Sequence, residues 1–206
     1  MSLRSGGLQV GTSIEVRDMH RDRGAQGAGT DTPPFIAPSV RRACGDCTLC
    51  CKVMAIEELA KPVGSWCPHC QPGRGCLIYA DRPAECRSFS CLWLVDAHLD
   101  QRWKPSRSKF VLTTSEDGIE IRCDPGFPDA WRKEPYRSEI RDWAISGETH
   151  DVTVVVVIGH KMILVTPDRE FDLGAVGPDQ RIVRELEGTR VVNVTVVEAS
   201  DMERRA

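Results

Sequence analysis

Cys44-Gly-Asp-Cys47-Thr-Leu-Cys50-Cys51 carries four cysteines in eight positions and dominates the interpretation of this chain. Five more cysteines follow at Cys67, Cys70, Cys76, Cys86 and Cys91. Nine of the ten cysteines of the chain therefore lie from Cys44 to Cys91. Core packing gives no reason to concentrate thiols in this way. Thiolates are, however, the ligands that zinc and iron–sulfur clusters prefer. The pattern therefore predicts a metal or iron–sulfur site.

The spacing of the first four cysteines suits a helix. On a helix, Cys47, Cys50 and Cys51 stand at i, i+3 and i+4 and share a face. Cys44 falls one turn earlier, near the unpaired backbone N–H groups of a helix start. Because Cys50 and Cys51 differ by about 100° around the helix axis, they serve either one multinuclear centre or two neighbouring sites. Both alternatives stay open.

The number of ligands leaves the number of centres open as well. A structural zinc site takes four ligands, and a cubane iron–sulfur cluster also takes four thiolates. Nine cysteines together with His69 suffice for two such sites, although we expect His69 to be an exposed turn residue. Three basic side chains flank the cysteines and can donate hydrogen bonds to sulfur, namely Lys52, Arg82 and Arg87.

Composition excludes several classes of protein. A net charge of −3 over 206 residues, with a pI near 6.0, gives no footprint for nucleic acid or an anionic membrane. The longest apolar run, 154–158, is far shorter than the roughly 20 residues that span a bilayer. The first 23 residues contain no apolar signal-peptide core. We therefore expect a cytoplasmic protein without a membrane or nucleic-acid partner, in which clustered cysteines bind metal and do not form disulfides.

Composition also divides the chain into four parts. Residues 1–40 are rich in Gly and Pro and predict a disordered or loosely docked tail, in which alternating apolar residues at 10–16 allow one short strand. Residues 41–98 form the cysteine module, with a helix over 48–60 and a short helix that begins near Pro83 and carries Cys86. Residues 99–109, with four basic residues around Trp103, predict a solvated linker. Residues 110–200 predict an α+β domain.

The last part alternates strand and helix signals. Its pattern predicts one helix from Pro135 to Gly147, and strands at 110–114, 118–123, 152–158, 161–166, 171–173 and 190–197. Alternation with Ile119 and Ile121 makes Cys123 a buried strand residue and not a ligand. The fold class expected is α+β: an irregular, mostly helical cysteine-rich metal module followed by a small antiparallel sheet with one packed helix.

The cysteine module resembles a known family. Its first eight-residue motif, followed by Cys76-Leu-Ile-Tyr-Ala-Asp-Arg-Pro-Ala-Glu-Cys86-Arg87, is similar to the CxxCxxCC, or YkgJ-like, cysteine-cluster family over residues 43–95. That family is described as a zinc- or iron-chelating domain. The resemblance implies that the cysteines of these two motifs bind the metal, whereas Cys67, Cys70 and Cys91 lie in stretches that look like marks of a bacterial branch.

Two classes of function follow, and both remain open. The first is a metal-binding protein that chelates structural zinc or iron and whose C-terminal sheet contacts a protein partner. The second is an oxygen-sensitive iron–sulfur redox protein, or a component of a methylase-like protein-modifying system, because some relatives are described as flagellin lysine N-methylases. No Gly-rich nucleotide fingerprint joins a strand to a helix here. We therefore assign neither a methylase activity nor a catalytic residue.

Overall fold

The computed structural model describes residues 14–18, 42–115, 117–150 and 152–203. Helices and strands both contribute to it, and the predicted α+β class is confirmed. Most of the segment predicted as a tail lies outside the described residues, but Ile14–Asp18 forms strand β1. Within the described ranges, no helix is long and apolar enough to cross a membrane.

Short elements alternate with loops over residues 42–108, here called the cysteine segment. They are helix α1 (Cys50–Val53), strands β2 (Cys70–Gln71) and β3 (Gly75–Cys76), and helices α2 (Ala84–Ser88), α3 (Leu92–Val95) and α4 (Pro105–Ser108). The rest of the chain forms strands β4 (Phe110–Ser115) and β5 (Gly118–Cys123), helix α5 (Tyr136–His150), strands β6 (Thr153–Ile158), β7 (Lys161–Val165), β8 (Glu170–Ala175), β9 (Gln180–Glu187) and β10 (Arg190–Glu198), and helix α6 (Ala199–Glu203).

The main sheet has five strands in the order β4-β5-β6-β7-β8. The two predicted hairpins are confirmed, since β4 pairs with β5 and β6 with β7 in antiparallel fashion. The prediction of an antiparallel sheet is wrong at its centre, where β5 and β6 run parallel with Ile119 opposite Val154. The physical reason is the connection: α5 lies between these strands, and parallel neighbours need such a crossover.

A second sheet has the order β1-β9-β10 and was not expected. Strand β10 is antiparallel to β9, and β1 pairs with β9 in parallel, with Ile14 opposite Ile182. The predicted last strand therefore belongs to this sheet and not to the main one. Strand β9 has no regular alternation, because Ile182 and Val183 are adjacent and charged residues surround them.

The valine run of β6 is buried on both faces of the main sheet. Val154 and Val156 face the larger core, whereas Val155 and Val157 face a smaller core that includes Ile182 of β9. This alternation follows from the two-residue period of a strand. Cys123 belongs to the larger core with 1% of its surface exposed, as predicted for a strand residue.

The predicted linker over 99–109 instead folds against the larger core. Residues Gln101–Trp103 form a 3₁₀ turn that precedes α4. The Trp103 ring is 2% exposed, and its centroid lies 4.8 Å from that of Trp143 and 5.1 Å from that of Tyr136. The free energy gained by burying this ring outweighs the tendency of the neighbouring basic residues to keep the segment in water. The charged groups of these residues find partners or solvent at the edge of the core. Lys104, for example, pairs with Asp46.

The predicted helix over 48–60 is wrong beyond its first turn. Helix α1 ends at Val53, Met54 is extended, and Ile56 forms an isolated bridge with Lys61. The ammonium of Lys61 donates to the carbonyl oxygens of Lys52 and Met54, which a continuing helix would use itself. The short helix that carries Cys86 is confirmed as α2.

Helix α5 begins after Pro135 as predicted but continues past Gly147 to His150. Gly147 is required for close approach, because a Cβ there would stand 2.1 Å from the carbonyl oxygen of Val152. Hydrogen bonds from Val152 N to Gly147 O and from Thr153 N to Asp117 O hold that backbone in place. The chain thus turns from α5 directly into β6.

We expect Gly147→Ala to destabilise the protein. Helix propensity alone favours alanine by about 1 kcal/mol, but overpacking against fixed backbone costs roughly 1–3 kcal/mol or more. Gly177→Ala is the control, since its Cβ would lie 3.7 Å from the nearest atom, Gln180 Oε1. Urea unfolding measures both, and equal midpoints for the two variants would contradict the prediction.

A buried ion pair ties the cysteine segment to the sheet. Lys52 Nζ lies 2.6 Å from Asp124 Oδ1, and the Asp124 side chain is only 7% exposed. The same oxygen accepts a hydrogen bond from Gly126 N. Since Lys52 lies on α1 and Asp124 follows β5, the pair fixes α1 against the end of the main sheet.

We expect Asp124→Asn to lower the free energy of unfolding by about 1–3 kcal/mol, because a partly buried ammonium loses its counter-charge. Asp46→Asn is the matched control. Its pair with Lys104 has the same 2.6 Å separation, but the Asp46 side chain is 68% exposed, so we expect no measurable change. Denaturant unfolding compares the two, and a large effect of the control variant would contradict this assignment.

Candidate metal centre

Eight cysteines from different parts of the cysteine segment line one cavity of about 170 Å³. They are Cys44, Cys47, Cys50, Cys51, Cys67, Cys76, Cys86 and Cys91. The ninth predicted ligand, Cys70, lies beside them: its thiol interacts with that of Cys51. It also stands opposite Cys76 in the register of β2 and β3. All nine predicted ligands are therefore gathered in one region, and Cys123 lies in the sheet.

Two tight turns bring together two of the three C-x2-C pairs, Cys44 with Cys47 and Cys67 with Cys70. Cys47 N donates to Cys44 O at 2.9 Å, and Cys70 N donates to Cys67 O at 3.0 Å. In the first turn Gly45 has φ +56°, a conformation that glycine adopts without strain. Cys47 consequently precedes α1, so the predicted helical face shared by Cys47, Cys50 and Cys51 is not formed. The turn, and not a helix, directs Cys44 and Cys47 towards the cavity.

Backbone hydrogen bonds join the two groups of cysteines. Cys67 N donates to Cys51 O at 3.0 Å, and Gly73 N donates to Thr48 Oγ1 at 3.1 Å. The Thr48 hydroxyl, which is buried, also interacts with the Cys70 thiol. The loop that carries Cys67 and Cys70 is thus held directly against α1.

Cys91 stands at the start of α3, and Leu94 N donates to Cys91 O at 2.9 Å. The backbone N–H groups of Leu94 and Trp93 also lie near its sulfur. Burial raises the pKa of the Cys91 thiol to about 11, and these two donors act in the opposite direction. Burial is the larger influence, so ionisation of Cys91 needs a compensating cation.

Burial opposes ionisation of several other cavity thiols. It raises the pKa of Cys44 and Cys86, and that of Cys70 to about 12. The pKa of Cys51 is raised most by its hydrogen bond with Cys50 and next by burial. Neighbouring thiols add to each of these effects because two thiolates repel. Several of these cysteines can ionise together only when a cation compensates them.

The thiols share a cavity and do not form a preassembled tetrahedron. Over the described ranges, no three Cys, His, Asp or Glu side chains are arranged to hold a single metal ion. Binding would therefore require side-chain rotation within the cavity, whose wall includes apolar groups such as Met54, Phe89 and Trp93. Val111 of β4 also lines it, so the main sheet supplies part of the cavity wall.

The three flanking cations have different positions. Arg82 lines the cavity. Lys52 turns away to Asp124 and lies over the Trp66 ring, while Arg87 is exposed and does not line the cavity. His69, a possible extra ligand, is half-buried and likewise does not line the cavity.

Lys61 is a charged neighbour that no sequence pattern indicated. It is 5% exposed, and burial lowers its pKa, whereas Cys67, Cys51, Cys50 and Cys86 act in the opposite direction. Its position depends on the bridge with Ile56, which reverses the chain after α1. No spacing in the sequence predicts this reversal of the chain. The sequence alone therefore does not distinguish Lys61 from a surface lysine.

Comparison of the chain with models of protein families, with curated proteins and with solved structures finds no match.

We expect Lys61→Met to destabilise the cysteine segment. Methionine fills the volume, but the carbonyl oxygens of Lys52 and Met54 lose their donor, at roughly 1–3 kcal/mol for a buried unsatisfied group. Lys133→Met is the control, because Lys133 is exposed. Unfolding monitored by tryptophan fluorescence measures the difference, and equal stability of the two variants would refute this role of Lys61.

Proposed function

We propose that this chain is a metal-binding protein whose cysteine-lined cavity holds zinc or iron, the latter as an iron–sulfur cluster. The observation that carries the proposal is the convergence of eight cysteines on one cavity. Soft thiolates in this number suit zinc and iron–sulfur clusters, and they suit magnesium or calcium poorly. All ten cysteines are free thiols and are therefore available as ligands. Clustered cysteines that bind metal are typical of a reducing compartment, and on that ground we propose a cytoplasmic location.

The donor set supports more than one metal ion. Cys44, Cys47 and Cys91 interact with one another, and Cys86 interacts with Cys51, as well as with Cys67 and Cys76. Four thiolates complete one zinc site or one cubane cluster, so a single ion would leave half of the thiols unused. The cavity is also large for one ion, because a water molecule takes only about 10–15 Å³ of such space.

The first role we assign to the centre is structural. Regular elements in the cysteine segment are two to five residues long, and elements of this length are not stable alone. Metal binding contributes on the order of 10 kcal/mol to the folding of small cysteine modules. The irregular helical module predicted from the sequence, and its resemblance to the CxxCxxCC family, agree with this role.

A second candidate is electron transfer by an iron–sulfur cluster. It is favoured by Tyr79, which lines the cavity although 58% of its surface is exposed. The cavity therefore lies close to the protein surface, as exchange of electrons with a partner requires. When bound, such a cluster would supply one-electron chemistry, and the cysteines would hold it.

Metal and acid-labile sulfide content of protein purified without oxygen tests the proposal. Zinc at one or more ions per chain without sulfide supports the structural role. Iron with equimolar sulfide and visible charge-transfer absorption supports the redox role. A chain that contains neither metal, and that takes up neither during anaerobic reconstitution, would overturn the proposal.

Single substitutions test the cavity as the binding site. We expect Cys51→Ser to lose most of the bound metal, because Cys51 contacts both Cys50 and Cys70. Cys123→Ala is the control: Cys123 is equally a free thiol but lies in the sheet core, so its metal content should match the wild type. Retention of full metal content by Cys51→Ser would exclude that residue as a ligand.

A further inference from the structure

Arg82 differs from the other basic residues of the cysteine segment in where its side chain lies. It is the one Lys or Arg among the described residues that line the cavity. Its Nε is buried and has no hydrogen-bond acceptor in the described part of the chain. A buried donor without an acceptor is destabilising, so its presence at the cavity needs an explanation.

The guanidinium is held in place by an aromatic ring. Its Cζ lies 4.1 Å from the centroid of the Tyr79 ring, a separation at which cation–π attraction operates. Tyr79 and Arg82 both line the cavity. Pro83, the residue after Arg82, directly precedes α2. Stacking limits the rotation of the guanidinium and keeps its buried edge at the cavity.

The charge of Arg82 acts on the thiols. The guanidinium of Arg82 lines the same cavity as the thiols of Cys44 and Cys86. Four thiolates around one Zn²⁺ carry a net charge of about −2, and a cubane cluster with four thiolates is also anionic. An adjacent guanidinium offsets this charge, and an N–H group directed at sulfur tunes such centres.

We propose that Arg82 donates a hydrogen bond from Nε to a sulfur atom of the bound centre and that its charge strengthens metal binding. The acceptor is either a cysteine thiolate or inorganic sulfide, which share the same chemistry. Arg82 is thus a positioning residue and not a ligand. This inference rests on the proposed function and adds to it the group that compensates the charge of the thiolates.

The test compares Arg82→Met and Arg82→Lys with Arg87→Met in the full chain. Arg87 lies one residue after Cys86 but is exposed and does not line the cavity, so its loss controls for the general loss of positive charge. Each protein is loaded with zinc, and its affinity is measured by competition with a chromophoric chelator. We expect Arg82→Met to bind zinc about 10- to 100-fold more weakly, Arg87→Met to bind as the wild type does, and Arg82→Lys to be intermediate.

The outcomes separate this inference from the proposed function. If the wild type binds no metal, the proposed function fails. If the wild type binds zinc and Arg82→Met binds it equally well, or if Arg87→Met is weakened to the same degree, the role of Arg82 is overturned. Full recovery in Arg82→Lys would overturn the Nε hydrogen bond and leave only the charge.

The same variants distinguish the two acceptors when the wild type carries an iron–sulfur cluster. Loss of a hydrogen bond and a positive charge near the cluster shifts the reduction potential to more negative values. We expect this shift in Arg82→Met and not in Arg87→Met, measured by redox titration of the visible spectrum. Weaker zinc binding together with an unshifted potential assigns the hydrogen bond to a cysteine thiolate away from the cluster, and weaker zinc binding together with a shifted potential assigns it to a sulfur atom of the cluster.

Discussion

The structure depends on the packing of the cysteine segment against the same apolar core as the main sheet. Leu49 and Val53 at α1, and Trp93 of α3, belong to the core that also contains Phe110 and Ile121. These contacts hold loops with little regular structure in one arrangement. The cavity can therefore bring together thiols that are up to 47 positions apart, because the sheet provides a rigid surface for the segment.

Electrostatics then decides what such a cavity can hold. Thiols that are buried side by side resist ionisation, both because they are desolvated and because each thiolate repels the next. A disulfide would satisfy two of them at a time, whereas a metal ion provides the positive charge that lets four ionise together. Arg82 and Lys61 supply further positive charge within the protein. A site with many thiols and few cations suits a cationic ligand better than an anionic one.

Local signals in the sequence predicted much of this arrangement. Strand and turn signals identified β4 to β8, Pro135 located the start of α5, and the clustering of nine cysteines between Cys44 and Cys91 predicted a group of thiols, eight of which line the cavity. Long-range pairing was not predictable in this way. The parallel pairing of β5 with β6 and the position of β9 depend on how the chain returns after a helix or a turn. Similarly, Trp103 lies among basic residues, so only its tertiary contacts reveal that it is buried.

The shared core also determines what loss of a bound metal would mean for the protein. A separate cysteine module would unfold alone and leave the sheet intact. Here Val111 lines the cavity from within β4, and the Lys52–Asp124 pair joins α1 to the end of β5. A change in the cavity is consequently transmitted to the sheet through buried contacts and not through a flexible linker. Binding of the proposed metal at the thiols would therefore also stabilise the sheet.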